Sequence, residues 1–426
     1  GTSNAPNYGA GGGGGAGAVG VAGSTTAGGN GGAGTASAIS GSSVTYAGGG
    51  GGGTYNGLGT LGVGGSGGGG AAGHSAGTAG TANTGGGGGG SNNGAASGAG
   101  GSGIVIISYM SSTQTIKFQP DLVWLKDRTS ANAHGLFDSV RTATKYLSSN
   151  STAAETTDAN SLTAFLTNGF SIGTTGLFNT SGNSYVSWNW KKSVTSGFDI
   201  VSYTGNGTAG RTVAHTLGVA PKMMVIKERD TGGVGGAWSV YHESIGNTYA
   251  LFLNTTDAKN LDPSYWNNTS PSSSVFTLGT GTDLNENTKS YIAYLFAEKD
   301  GFSRFDKYTG NGSADGPFVW TGFKPKFVLT KRTDIADHWI ILDSARDNNG
   351  NYIEGALHPH LTNAEVLPDA TTAMDFLSNG FKWRYNNSYN VSGGTYIYAA
   401  FAEVPFKYST AADSSSGAAF FLGMSF

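Results

Sequence analysis

The first 103 residues of this chain contain 45 glycines and no Asp, Glu, Lys or Arg. The other 29 glycines and all 51 charges fall in the 323 residues that follow. Glycine loses more backbone entropy on ordering than any other residue and brings no side chain to a core. The opening segment therefore cannot fold as an ordinary globular domain, whereas the remainder can. Glycine runs recur at 11–15, 48–53, 67–70 and 85–90, separated by islands carrying Val19, Val21, Ile39, Val44, Tyr46, Leu58, Leu61 and Val63. Two conformations answer to this pattern. One is a flexible Gly/Ser linker. The other is a bundle of polyproline-II-type helices with three residues per turn, whose N–H and C=O groups point outward and pair between helices that glycine lets approach closely. The apolar islands favour the bundle, because a linker has no use for them. Collagen is excluded, since Pro6 is the segment's one proline and no Gly-X-Y period exists. A GxGxxG match at Gly57–Gly62 is a by-product of composition, with no acidic residue about 20 positions on.

A net charge of −3 gives no basic face for nucleic acid. The absence of cysteine excludes disulfides and thiolate metal sites. The longest apolar run, Ile104–Ile107, is far short of a membrane span. No signal peptide is visible and the sequence begins at Gly1 rather than Met, which reads as a processed chain or part of a longer product. Only 12% of residues are charged and 11% are aromatic, a balance that suits an extended β-rich surface protein better than a housekeeping enzyme.

Beyond residue 109 the chain repeats three times. Gln119-Pro-Asp-Leu-Val-Trp-Leu-Lys126 returns as Ala220–Lys227 and as Lys324–Lys331. Tyr185-Val-Ser-Trp-Asn-Trp190 returns as Tyr291–Phe296 and Tyr396–Phe401. Asn168-Gly-Phe170 returns as Asn379-Gly-Phe381. Repeats two and three also share Tyr203-Thr-Gly-Asn-Gly207 and Tyr308-Thr-Gly-Asn-Gly312, which predict tight hairpins because Asn-Gly supplies positive φ. Repeat one lacks that element unless Ile104–Tyr109 replaces it. The predicted fold class is mainly β, a polyglycine-II-type bundle followed by three jelly-roll-like β-sandwich repeats. The expected boundaries are 1–109 for the glycine-rich domain, 110–195, 196–302 and 303–410 for the repeats, and 411–426 for a tail. Each repeat is long enough to bury a core of its own. Ser161–Leu166 and Thr372–Leu377 read as short helices ending at Asn-Gly.

Lys126, Lys227 and Lys331 recur at a strand end, where the residue type suits a sheet edge protected against aggregation. Tyr185, Tyr291 and Tyr396 read as core. The aromatic clusters that differ between repeats are the stronger ligand candidates: Tyr265, Trp266 and Asn267 between Pro263 and Pro271, and Trp383, Tyr385 and Tyr389 between two strands. Sugar binding needs a flat apolar face and amide or hydroxyl partners, which such loops supply; loop packing explains them equally. His358-Pro-His360 is a two-ligand metal hint, more simply read as solvated histidines, and Asp347–Asn351 with Glu354 has the composition of a calcium loop with its glycine misplaced. No catalytic set emerges, and no cofactor or metal is expected; Asp343, Asp347 and Glu354 are the acids from which a glycan depolymerase would be assembled.

Tyr8-Gly-Ala-Gly-Gly, Ser42–Gly48, Thr81–Gly85 and Gly101–Tyr109 resemble the glycine-rich domain of bacteriophage tail-fibre and adhesin proteins. Leu147–Thr157, Trp188-Asn-Trp190 and Tyr294-Leu-Phe-Ala-Glu298 resemble repeats of tail-fibre-like proteins of marine phages. The resemblance implies an extracellular virion fibre, commonly trimeric, that assembles with other tail or fibre proteins. It binds a host surface glycan or outer-membrane protein without catalysis, contact with nucleic acid or membrane insertion. It also implies that islands around Tyr46, Tyr55, His74 and Asn92–Asn93 present the receptor-binding loops. The alternatives are a structural decoration fibre or bacterial surface filament and, third, a glycan depolymerase.

Overall fold

The structure is a computed structural model that describes residues 8–37, 43–55, 58–92, 94–105, 116, 118–230, 236–346, 352–365, 372–386, 388–402 and 421–425. The chain is mainly β and forms two compact units, residues 1–112 and 113–426.

In the first unit, backbone hydrogen bonds join the glycine runs with a rhythm of three. Ala10, Gly13 and Ala16 donate in turn to Gly53, Gly50 and Ala47 at 2.9, 2.8 and 2.9 Å. On the same run Gly12 and Gly15 donate to Val21 and Ala18, while the carbonyls of Ala10 and Gly13 accept from Gly29 and Gly32. One run thus reaches three neighbours in rotation, the period expected of a polyproline-II-type conformer rather than the period of two in a strand. At most glycines of this lattice a side chain has no room. A Cβ on Gly49 would stand 2.0 Å from the carbonyl oxygen of Gly13, and one on Gly65 1.9 Å from that of Gly32. The apolar islands do not form a core: Val19, Val21, Leu58 and Val63 are exposed, and Ile39 lies outside the described residues. Cohesion comes from the main chain.

Each repeat of the second unit has one main sheet, beside a further four-stranded sheet in repeat three and two-stranded sheets in repeats one and two. Repeat one contributes β1 (Leu122–Asp127), β2 (Gly135–Asp138) and β3 (Tyr185–Trp190). Repeat two contributes β4 (Phe198–Thr204), β5 (Met223–Glu228), β6 (Ser239–His242) and β7 (Ser290–Phe296). Repeat three contributes β8 (Ser303–Thr309), β9 (Phe327–Arg332), β10 (Trp339–Asp343) and β11 (Thr395–Phe401). A last strand, β12, spans Phe421–Ser425. The antiparallel orders are β12-β3-β1-β2, β4-β7-β5-β6 and β8-β11-β9-β10, with two further short strands beyond β6. The registers match position by position: Leu122 faces Trp190, Met223 faces Phe296 and Phe327 faces Phe401. Repeat one takes its outermost strand from β12, the place that β4 and β8 fill for the other repeats. Ile104 and Val105 are not in a strand, and the rest of that predicted strand lies outside the described residues.

One hydrophobic cluster draws on all three repeats, alongside two smaller ones in repeats two and one. At its centre Trp190, Phe296 and Phe401 meet edge to face, with centroids 5.7–6.0 Å apart. They line an apolar cavity of about 30 Å³. The repeats are therefore parts of one pseudo-threefold body.

Hydrogen bonds run round that body in one sense. His134, Trp238 and Trp339 hold equivalent positions, and each donates a ring N–H to the preceding repeat: to the carbonyls of His358 at 3.1 Å, Ser148 at 3.0 Å and Phe252 at 2.8 Å. Two seams add buried charge. Asp138, paired with Arg141 at 2.5 Å, accepts from the Tyr294 hydroxyl at 2.8 Å; Asp343, paired with Arg346 at 2.5 Å, accepts from the Trp188 indole at 3.0 Å. Glu155 joins Arg141 to Arg229 of repeat two, and Glu365 joins Arg346 to Arg128 of repeat one. At the third seam every member changes together. His242, Ile245, Lys259, Thr333 and Ala399 replace the Asp, Arg, Glu, Arg and aromatic, and His242 donates to the Tyr398 carbonyl at 3.1 Å. The backbone bond from position 155 survives there, as Lys259 N to Thr333 O at 3.1 Å.

Three sequence expectations change and a fourth holds. Leu162–Leu166 and Met374–Leu377 are strands, not helices: each closes a hairpin on Gly169 or Gly380 through two loop residues, because their apolar faces pack on cores as strands. The Thr-Gly-Asn-Gly segments are not hairpins. Gly207 and Gly312 do take positive φ, 67° and 65°, but the loops wind round buried Asn285 and Asn390, whose amide oxygens accept from Asn206 N and Asn311 N. Lys126, Lys227 and Lys331 are not at an edge. They lie on interior strands, fully buried, with ammonium groups donating to the carbonyls of Asp127, Glu228 and Arg332, and burial pushes each pKa down to about 8. Tyr185, Tyr291 and Tyr396 are core, as expected.

Three outcomes follow from these contacts. Gly49→Ala should lower the stability of the glycine unit by about 3 kcal/mol, since the clash is with backbone. Gly14→Ala, whose added Cβ would meet nothing within 4 Å, should leave the calorimetric transition unchanged. Asp343→Ala leaves the buried Arg346 guanidinium with Glu365 as its remaining carboxylate and should cost about 3 kcal/mol in denaturant unfolding.

Candidate functional site

The cleft that gathers recognition chemistry lies in the glycine unit. Ala10 N donates to Gly53 O at 2.9 Å and Gly90 N to Gly51 O at 2.8 Å, which brings the ends of three runs together. Gly53 packs so closely on Ser91 that a Cβ would meet its carbonyl at 2.2 Å. The result is an open cleft of about 480 Å³ lined by Tyr8, Ala10, Gly53, Thr54, Tyr55, Ser91 and Asn92, within the range of small-ligand sites. Tyr8 stands in the left-handed region at φ 44°, a strained conformation that its surroundings hold. Its ring meets Tyr55 edge to face at 5.6 Å, and both phenols are about half exposed, at 43% and 52%.

Beside them the Thr54 side chain is buried, and its hydroxyl has no hydrogen-bond partner. A buried hydroxyl left unpaired costs about 1–3 kcal/mol, a cost that a ligand hydroxyl entering the cleft would relieve. The Ser91 hydroxyl donates to the Ala95 carbonyl at 2.5 Å and keeps its lone pairs as acceptors. No Asp, Glu, Lys or Arg occurs in the first 103 residues, so nothing here can ion-pair with a phosphate or carboxylate. Phenol faces with neutral hydroxyl and amide groups suit an uncharged polyhydroxylated ligand.

The structure brings together Tyr55 and Asn92 from the islands marked in the sequence. Tyr46 lies elsewhere, half-buried on the short ladder Val44–Tyr46 with Thr35–Ser37. His74 does not line the cleft, and Asn93 lies outside the described residues. Tyr8 and Thr54 were missed. The signal for Thr54 was faint: a residue with a branched side chain directly after a run of six glycines.

The aromatic clusters of the repeats are placed differently from a binding loop. Tyr265 and Trp266 lie on a helical turn, Pro263–Trp266, capped by Asp262. Trp266 is buried with its indole on the Tyr249 carbonyl at 3.0 Å, and the Tyr265 hydroxyl donates to Asp283 at 2.7 Å. Asn267 is the left-handed C-cap at φ 50°. Trp383 is buried, donates to the Tyr308 hydroxyl at 2.8 Å and stacks on buried Tyr389 at 5.2 Å. Tyr385 is half-buried. The rings of Trp266, Trp383 and Tyr389 are occupied by packing. Sequence reasoning passed over Phe318 and Trp320, which stand about half exposed on either side of buried Val319, with the Arg304 guanidinium 4.8 Å from the Trp320 ring centre. The all-apolar run Phe-Val-Trp hid that alternation.

The structure adds His338 to the His358-Pro-His360 pair. His338 and His360 share a 2.7 Å hydrogen bond, and His358 accompanies them through a bond to the Trp339 carbonyl. His360 is buried rather than solvated, and burial with the neighbouring imidazoles pushes its pKa down to about 3. Among the described residues no group of three His, Cys, Asp or Glu has the geometry to hold a metal ion. Of the acids considered for a depolymerase, Asp343 is locked in its ion pair, Glu354 is buried and Asp347 lies outside the described residues, as does most of the calcium-like loop. No described helix is long and apolar enough to cross a membrane.

Burial holds His134 well below its usual pKa and His242 down at about 4, so both are neutral in the folded unit. The unfolded chain binds their protons from about pH 6.5 downward. Stability should therefore fall as pH drops from 6.5 toward 4, by about 2 kcal/mol at pH 5 for His242, with His134 acting in the same direction. Urea unfolding at pH 7 and pH 5 checks this, with His242→Gln flattening the slope.

Residues 107–405 match the model of a family described as a domain of unknown function (DUF7483), and residues 1–110 match a glycine-rich domain. The first match spans more than half of the chain, which therefore belongs to that family. No curated protein and no solved structure matches it.

Proposed function

We propose that this member of the DUF7483 family is an adhesive virion fibre protein, a tail-fibre subunit that attaches to a neutral glycan on the host surface. The observation that carries this reading is the Tyr8–Tyr55 cleft with its buried, unpaired Thr54 hydroxyl. A phenol face stacks on a sugar ring, and Thr54, Ser91 and Asn92 address its hydroxyls. Such a site is weak taken singly. Copies presented together on a fibre gain strength through effective concentration, by a factor of about 100–10,000. A trimeric arrangement and association with other tail proteins belong to the same proposal, as does an extracellular location. The reading involves no bond-breaking step.

The experiment is binding of the full chain to host cells and to a neutral-glycan panel. Tyr55→Ala should lower affinity at least tenfold. Thr54→Val, which keeps the shape and removes the hydroxyl, should lower it while leaving the unfolding transition unchanged or slightly raised. Full binding by both variants would contradict the proposal.

A further inference from the structure

The outer strand of repeat one differs in kind from its two counterparts. β4 and β8 lead directly into their own repeats and pair over seven positions, to Thr204 and Thr309. Each ends by stacking a tyrosine on the neighbouring strand: Tyr203 on Tyr291 at 5.2 Å and Tyr308 on Tyr396 at 4.8 Å. β12 pairs with β3 over five positions, from Phe421–Trp190 to Ser425–Val186. It stands outside residues 107–405, the span of the family domain. Nineteen residues, 402–420, separate it from β11, a length of chain that could reach about 65 Å.

We propose that the outer edge of β3 is a strand-acceptor slot, and that Phe421–Ser425 of a second copy of this chain occupies it when copies are held side by side. Removal of β12 leaves a row of unpaired N–H and C=O groups on β3, a template for any strand of matching register. The identical segment of a neighbour makes the same main-chain bonds in the same register, so exchange creates no new interface and loses none. Concentration sets the balance. The segment is covalently joined to its own slot, so the chain fills that slot itself when dilute and exchanges when crowded.

The chain has no cysteine, which makes the test direct. Met424 lies opposite Ser187. A full-length Met424→Cys variant is mixed with a full-length Ser187→Cys variant, and the mixture is refolded and oxidised at micromolar and at millimolar concentration. The expected product is a disulfide between the two variants, at least tenfold more abundant in the concentrated sample and lost when Gly423→Pro is added. The double variant, Met424→Cys with Ser187→Cys, should close within one chain when dilute. If the double variant closes and the mixture yields no such disulfide at either concentration, the slot is not exchangeable and the inference fails. If the double variant does not close, β12 does not pair with β3 and the inference fails as well.

Discussion

Backbone hydrogen bonds that reach a partner without help from side chains are the constraint on which the glycine unit rests. A run with no Cβ cannot lower its free energy by burying apolar surface, yet its N–H and C=O groups must still be paired. Pairing in three directions at once requires neighbours closer than any side chain permits. This is why a Cβ at Gly49 or Gly65 would fall about 2 Å from a carbonyl oxygen. The islands between runs are then free of packing duty, and Tyr8, Thr54 and Tyr55 can stand in a cleft instead of a core.

The second unit solves the opposite problem. The main sheets of its three repeats turn aromatic side chains toward one another, and Trp190, Phe296 and Phe401 meet at a common centre. The contacts between repeats are then specified by polar groups. A ring N–H reaches the preceding repeat at all three seams, and buried carboxylate–guanidinium pairs are added at two. The third seam, whose members form no such ion pair, changes Asp, Arg, Glu, Arg and the aromatic in concert. That pattern is expected if each charge is tolerable only with its partners, because a buried charge left alone is costly.

Much of this was legible in the sequence, and the physical reasons for the gaps are specific. The repeat, the β class and the core tyrosines follow from alternation and recurrence, which are local signals. The position of Lys126, Lys227 and Lys331 on interior strands was not legible, because edge and interior differ only in which strands lie alongside. The helices expected at 161–166 and 372–377 were strands, since a six-residue apolar run carries both periods and tertiary packing decides. Trp266 and Trp383 had the composition of a sugar platform, but burial is a property of the whole fold. The cleft was half legible: Tyr55 and Asn92 were marked as island residues, while their meeting with Tyr8 and Thr54 depends on runs that the sequence does not order in space.

The most direct test of the central claim is amide hydrogen exchange of the full chain with and without a saccharide selected from its own glycan panel. The account predicts protection concentrated at residues 8–10, 53–55 and 91–92. Protection concentrated instead around Phe318 and Trp320, or none despite measurable binding, would contradict it.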